Sequence, residues 1–230
     1  MPRTILVSEG DTPLGRRLAE LLLARGARVV TTVSSAAGSR QGPDGGQSPA
    51  AARAPATADE RTRAIPWNRR SPMSARTVLL DASNAFDSID EAIILEPPCA
   101  VSGGLHELPV ADVERAFDDA RGPVFLAREV LAAFRARGRG VLCMVSRGPA
   151  SGPVGTGLQE CFRGVCAALF ADTGMKGITV NGFQAGSSDV EEYAAFIDRT
   201  LEDKGRKISG RWFACPSRGG LLGMKLPRRG

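Results

Sequence analysis

Short, unbroken apolar runs alternate along this chain with stretches of helical periodicity, and that alternation restricts the fold more than any other feature. Thr4 to Val7 is β-type, the polar turn Ser8 to Pro13 follows, and Leu14, Leu18, Leu21 and Leu22 recur at helical spacing up to a stop at Arg25-Gly26. Ala27 to Val33 is a second strand, so the first segment is a βαβ unit with parallel pairing and a right-handed crossover. Further on, the pattern predicts a brief strand at Ile65-Pro66-Trp67, a helix over Ser74–Phe86 and a buried strand at Ala92–Leu95. A long helix over Asp112–Arg137, a strand at Val141–Val145 and a helix over Leu158–Phe170 come next. Ile178–Val180, Val190–Asp203 and Arg211–Ala214 complete the series as strand, helix and strand. Continuous apolar strands separated by helices belong to a sheet covered on both faces. The fold expected is α/β: a doubly wound parallel sheet in three α/β/α layers, one domain over residues 1–230.

Ser34 to Ala64 contains no Val, Ile, Leu, Met or aromatic residue. Such a stretch cannot bury enough apolar surface to offset its ordering entropy, so 34–64 is expected to be a mobile insertion, with residues 219–230 as a C-terminal tail.

Rare residues exclude whole classes of chemistry. His106 is the only histidine, so no two-histidine site exists, and nothing in the sequence positions a neighbour for it as a base. The five cysteines (Cys99, Cys143, Cys161, Cys166, Cys215) are widely spaced in apolar surroundings and read as reduced core thiols, not as metal ligands or a disulfide frame. The net charge of +5 is spread over scattered arginine pairs, and aromatics are only 5%, so no nucleic-acid-stacking surface is expected. No apolar run approaches the ~20 residues of a membrane helix, and the N-terminus lacks the apolar core of a signal peptide, which points to the cytoplasm.

Three segments carry a family resemblance. Ile5 to Ala19 with the following Leu-Leu-Leu-Ala-Arg-Gly-Ala, Gly177-Ile178-Thr179-Val180-Asn181 through Gly186, and Ile208-Ser209-Gly210-Arg211-Trp212-Phe213 stand in the order and spacing of the short-chain dehydrogenases/reductases. The resemblance spans nearly the entire chain and implies a Rossmann-like sheet. It also implies an NAD(P)-binding turn of the form Thr-Gly-x-x-x-Gly-x-Gly and a catalytic Tyr-x-x-x-Lys pair on one helix, with a serine and an asparagine nearby.

Against that pattern the functional positions are altered. Glu9 and Pro13 stand at the first two turn glycines, leaving Gly15, with Gly10 beside the turn and Ser8 before it. A carboxylate beside a pyrophosphate costs about 1 kcal/mol at ~4 Å in water and more when desolvated, and Pro13 removes an N–H donor. The adenine-side aspartate falls on Asn68, and the segment after the fourth strand becomes Glu96-Pro97-Pro98-Cys99. The only tyrosine, Tyr193, is followed four residues later by Ile197, so no Tyr-x-x-x-Lys exists in the chain. The family's tyrosine position falls on Gly155, its lysine on Gln159, its asparagine on Ala120 and its serine on Ser146, the one remnant. Ala185-Gly186 runs through two serines almost directly into a helix, where relatives carry a substrate lid. Cofactor binding is therefore expected to be weak or absent.

The resemblance also implies a dimer interface built from the two long helices, here with Phe125, Phe162, Val165 and Leu169, and a chain end, here Leu221 and Leu222, that crosses to a neighbour. These losses read together as a noncatalytic subunit of a hetero-oligomer. Its partner would be an active paralogue that interconverts a hydroxyl and a ketone, with an acyl thioester as one candidate substrate. The same helices would serve a homodimer. Two other readings stay open: an NAD(P)-dependent oxidoreductase with an atypical site, and a nucleotide-sensing regulatory binder.

Overall fold

The computed structural model describes residues 2–35, 60–172, 175–186 and 189–216. Seven parallel strands form one sheet: β1 (Thr4–Val7), β2 (Arg28–Ser34), β3 (Thr62–Trp67), β4 (Glu91–Leu95), β5 (Gly140–Ser146), β6 (Ile178–Gln184) and β7 (Arg211–Ala214). Their order is β3-β2-β1-β4-β5-β6-β7, with the direction of winding reversing between β1 and β4. In open α/β sheets, ligands sit beyond the carboxyl ends of the strands at such a reversal. The helices are α1 (Pro13–Ala24), α2 (Pro72–Phe86), α3 (Val110–Ala120), α4 (Gly122–Arg137), α5 (Gly152–Ala171) and α6 (Val190–Thr200). Alternate strand residues face opposite sides. Leu6, Val30, Ile94, Leu142 and Met144 meet α2, α4 and α5 in one cluster, and Ile5, Val7, Ile93, Cys143 and Phe183 meet α1 and α6 in the other. The expected doubly wound, three-layer architecture is present.

Three differences from the sequence reading have physical causes. The single long helix over Asp112–Arg137 is two helices, broken at Arg121, because Pro123 has no N–H to continue the ladder. At the break Gly122 lies against Arg69: a Cβ there would stand 2.7 Å from the Arg69 Cβ. β3 begins at Thr62, inside the stretch expected to be mobile, because an edge strand needs few buried residues; only Ile65 and Trp67 are buried. The remainder of that stretch, 36–59, and the tail from 217 lie outside the described residues. Finally, not every cysteine is a core thiol, since Cys161 is exposed and Cys99 half-buried, with Cys143, Cys166 and Cys215 buried.

β4 also starts one residue earlier than expected, at the buried Glu91. Arg206, just past the π-helical turn Leu201–Gly205, grips both carboxylate oxygens at 2.7 and 2.9 Å, and Arg3 approaches at 3.6 Å. A buried carboxylate survives in a strand only when paired and bonded in this way.

Candidate functional site

The site is assembled from the carboxyl ends of β1, β3, β4 and β5. β1 is followed by Ser8 and Glu9. Ser8 is fully buried and its hydroxyl accepts from the Leu95 amide at 2.8 Å, so it ties β1 to β4. Glu9 has φ 58°, a left-handed backbone that costs a residue with a side chain about 1–2 kcal/mol. Its carboxylate is buried and held by both arms of Arg69, with Nε to Oε1 at 2.6 Å and Nη2 on Oε2. Arg69 Nη2 also donates to the Ser34 hydroxyl at the end of β2 (2.9 Å). Burial pulls the Arg69 pKa down, but the bonds and charge of Glu9 outweigh it and leave a net rise. Glu9 is thus not the bare carboxylate that its position in the sequence suggests: its charge is neutralised from within the chain.

Four amides of the turn are bonded within the chain, two of them to Thr32 of β2. Glu9 N donates to Thr32 Oγ1, Gly10 N to Thr32 O, Thr12 N to Glu9 O, and Gly15 N to the Thr12 hydroxyl that caps α1. Pro13 has no amide proton. Gly15 keeps its place for a steric reason, because a Cβ there would overlap the Glu9 carbonyl. Asn68, after β3, accepts the Arg70 backbone N–H on its Oδ1 at 3.0 Å and donates its own backbone N–H to Ser74 Oγ at 2.9 Å. Set against the needs of a dinucleotide (free amides and positive potential at the turn, a polar group at the ribose), this corner fits poorly, because Glu9 and Pro13 replace two turn glycines, four of the turn's amides are already bonded and Arg69 is already paired.

On the other side of the reversal, the structure brings Ser146, Gln159 and Glu96 together. Ser146, at the end of β5, is fully buried and donates to Glu96 Oε2 at 2.9 Å. The same oxygen accepts from the Arg147 amide at 2.9 Å and from Gln159 Nε2 at 3.4 Å. Gln159 also lies within bonding reach of Ser146 Oγ and of the Arg147 and Gly148 carbonyls. Gly155, one turn earlier on α5, packs by Ala150 and Cys99, and Ala120 ends α3 beside the Val154 and Leu158 cluster. The four positions that the resemblance marks do converge on one place, but they carry a locked amide, a buried hydroxyl, a glycine and an alanine. The buried Glu96 that organises them carried no role at the sequence level, and no local motif announces it.

Tyr193 lies on α6, on the opposite face of the sheet, and its hydroxyl donates to the Ser146 carbonyl at 2.8 Å. Burial drives its pKa far above the usual phenol value, so it braces β5 from behind and has no access to the site. His106 is exposed in the short turn Leu105–Glu107.

A cavity of about 780 Å³ opens over this cluster, between α3, α5 and the segment after β4. Residues 185–189 alone join β6 to α6, so no long segment follows β6 to cover it. Among the described residues, no group of three or more His, Cys, Asp or Glu is placed to hold a metal ion, and no helix is long and apolar enough to cross a membrane.

The shape of the molecule has close counterparts among solved structures. A short-chain dehydrogenase/reductase from Serratia marcescens superposes with a TM-score of 0.69 at 19% identity, covering 92% of this chain and 94% of the other. Levodione reductase gives 0.73 at 15% identity over 92% and 95%, and a dehydrogenase/reductase from Sinorhizobium meliloti 0.70 at 18% over 92% of both chains. The chain has the short-chain dehydrogenase/reductase fold. No family profile and no curated protein matches the sequence. At this identity the likeness is one of fold, and within that fold the Glu9 turn and the Glu96 cluster are features of this chain's own residues.

The helices expected at an interface are placed as follows. Phe162 is not free for a partner: it is buried against this chain's own core, because the sheet-facing side of α5 begins there. Phe125, Val165 and Leu169 are half-buried at the surface of α4 and α5, and Leu221 and Leu222 lie outside the described residues.

Proposed function

We propose that this chain is a noncatalytic protein on the short-chain dehydrogenase/reductase fold. It would serve in the cytoplasm as a subunit of a hetero-oligomer whose active paralogue interconverts a hydroxyl and a ketone. The observation that carries this reading is the Ser146–Glu96–Gln159 cluster. Where carbonyl reduction needs a group that delivers a proton, the chain offers an amide that does not titrate and a carboxylate committed to three donors. The Glu9–Arg69 pair supports the companion statement that NAD(P) binds weakly or not at all. Phe125, Val165 and Leu169 on α4 and α5 are the contact positions we assign to the partner; the same surface on a second copy of this chain is the alternative pairing.

The test is to isolate the untagged protein from its source and identify what accompanies it, and in what ratio. A stoichiometric companion carrying an intact Tyr-x-x-x-Lys pair is the expected result. The chain purified alone should neither oxidise NADH or NADPH over a panel of ketones nor show micromolar affinity for either nucleotide by calorimetry. Ketone reduction at enzyme-like rates by the pure chain would overturn the proposal, and nucleotide binding without turnover would favour a sensing role.

A further inference from the structure

Arg147, at this end of the sheet, differs from the paired arginines around it. Arg69 is paired with Glu9, Arg70 with Asp119 and Arg115 with Asp112. Among the described residues, by contrast, no carboxylate oxygen lies within 4 Å of the Arg147 guanidinium. Its Nε donates to the Glu96 backbone carbonyl at 2.6 Å, and its Nη2 is buried with no acceptor. Glu96 does not fill the gap, because the oxygen it directs here is occupied by the Arg147 amide, Ser146 and Gln159. A buried donor left without a partner keeps its desolvation penalty unrepaid, the more so when it is charged. Consistently, burial lowers the Arg147 pKa in spite of the attraction of Glu9 and Glu96, and Arg69 lowers it further.

Arg147 also lines the 780 Å³ cavity, within the range of drug-sized ligand sites. Above it the walls are apolar: Pro97, Val101, Ala120, Leu158 and Val165 line them, and Val124 stands 42% exposed at the edge. The lining contains the acidic side chains of Glu96, Glu107, Asp112 and Asp119. Asp112 and Asp119 are neutralised by their arginines, and Glu107 is largely exposed, with His106 beside it at 3.8 Å. One end of the cavity therefore holds the Arg147 guanidinium with the Glu96 carboxylate, bound by neutral donors, beside it, and the walls above are mainly apolar.

We propose that this cavity binds an amphipathic monocarboxylate, its anion on the Arg147 guanidinium and its apolar body along Val101, Ala120 and Leu158. A carboxylate supplies the missing counter-charge and an acceptor in the planar geometry that a guanidinium prefers. The proposal goes beyond the noncatalytic reading and does not depend on it, since binding, nucleotide turnover and partner copurification are separate measurements.

The experiment is calorimetry on the full chain with octanoate, 1-octanol and octylamine, all below micellar concentration. The three share one apolar body and differ only in the head group. Octanoate should bind with 1:1 stoichiometry and roughly tenfold or more tighter than octanol, the ratio expected of a charge-assisted bond, and octylamine no tighter than octanol. Arg147→Gln should erase the preference for octanoate and leave octanol binding unchanged, while Arg147→Lys should keep part of it. Val124→Trp, which fills the mouth and leaves the polar end intact, should abolish binding of all three in a protein whose circular dichroism and melting temperature are those of wild type. Equal affinity for octanol and octanoate, no saturable octanoate binding, an undiminished preference in Arg147→Gln, or unaltered binding in Val124→Trp would each overturn it.

Discussion

Glu9 and Arg69 stand 60 residues apart in the chain and form one charged unit at the end of the sheet. Removing one member of a buried pair strands the other charge and typically costs 3–5 kcal/mol. Arg69→Ala should therefore lower unfolding stability by about that amount, measured by urea denaturation at neutral pH. Glu9→Gly on its own relieves the left-handed backbone, and half-buried Arg69 can turn toward water. The double variant Glu9→Gly/Arg69→Ala should consequently be more stable than Arg69→Ala alone, a non-additivity that a double-mutant cycle reads directly. The neighbouring Gly15 gives a second, independent expectation. Its Cβ would meet backbone, the Glu9 carbonyl, and not a side chain that can swing away. Gly15→Ala should cost roughly 1–3 kcal/mol, the usual penalty of overpacking, although nothing needs to be bound there. A glycine that looks like the remnant of a phosphate cradle is retained by the packing of α1 on its own strand.

At the scale of elements, α5 presents two chemically distinct thiols five residues apart. Cys161 is exposed, whereas Cys166 sits in the core with its pKa pushed up to about 12 by burial, the Glu96 charge adding to the effect. Cys143, inside β5, is raised further still by the same cause. A thiolate-specific reagent at neutral pH should label Cys161 within the native state and Cys143 and Cys166 only on unfolding, with half-buried Cys99 between. Mass spectrometry of a timed labelling series checks this order. It also shows why the apolar composition of α5 was only partly informative. Periodicity found the helix but not which side faces the sheet: Cys161 and Phe162, adjacent in sequence, point to solvent and core respectively, and only the rotation of the helix on the sheet decides which is which. The strands were legible because unbroken apolar runs have one explanation in a covered sheet. The helix break was also legible in principle, since Gly122-Pro123 is a stop signal that the surrounding apolar spacing outweighed. β3 was legible only from Ile65 on, since its first residues bury nothing. The convergence of Ser146 with Gln159 followed from family spacing. The roles of Glu96, Arg147 and Arg69 did not, because pairings over 50 to 60 residues leave no local trace.

Across the described residues, the buried carboxylates Glu9, Glu96 and Glu91 lie at the two ends of the sheet. The carboxyl end holds Glu9–Arg69 and the Glu96 cluster. The amino end holds Glu91 with Arg206 and Arg3, Glu202 with the same two arginines, and Asp90 with Arg137 at 2.9 Å. Burial pushes the Asp90 pKa up, but the Thr4 amide and Arg137 outweigh it, and the net shift is downward. In Glu202, too, burial is opposed and overcome, by Arg206 and Arg3. A carboxyl group whose folded pKa is depressed contributes stability that is complete above its unfolded value, near 4, and is lost as pH falls through the folded value. Asp198 has the opposite sign: burial raises its pKa against the pull of Arg25, so its contribution is complete below pH 4 and declines as pH rises through the folded value. Two carboxylates then favour neutral pH and one opposes them. Unfolding stability should fall as pH drops below about 4, and Asp90→Asn should flatten that fall. Asp198→Asn should change in the reverse sense, its stability relative to wild type improving as pH rises from acid to neutral. Urea midpoints of the three proteins across that range separate the contributions. If Asp90→Asn follows the wild-type acid limb without change, the Arg137 pair contributes nothing to it, and Glu202, held low by Arg206 and Arg3, is the next to be replaced.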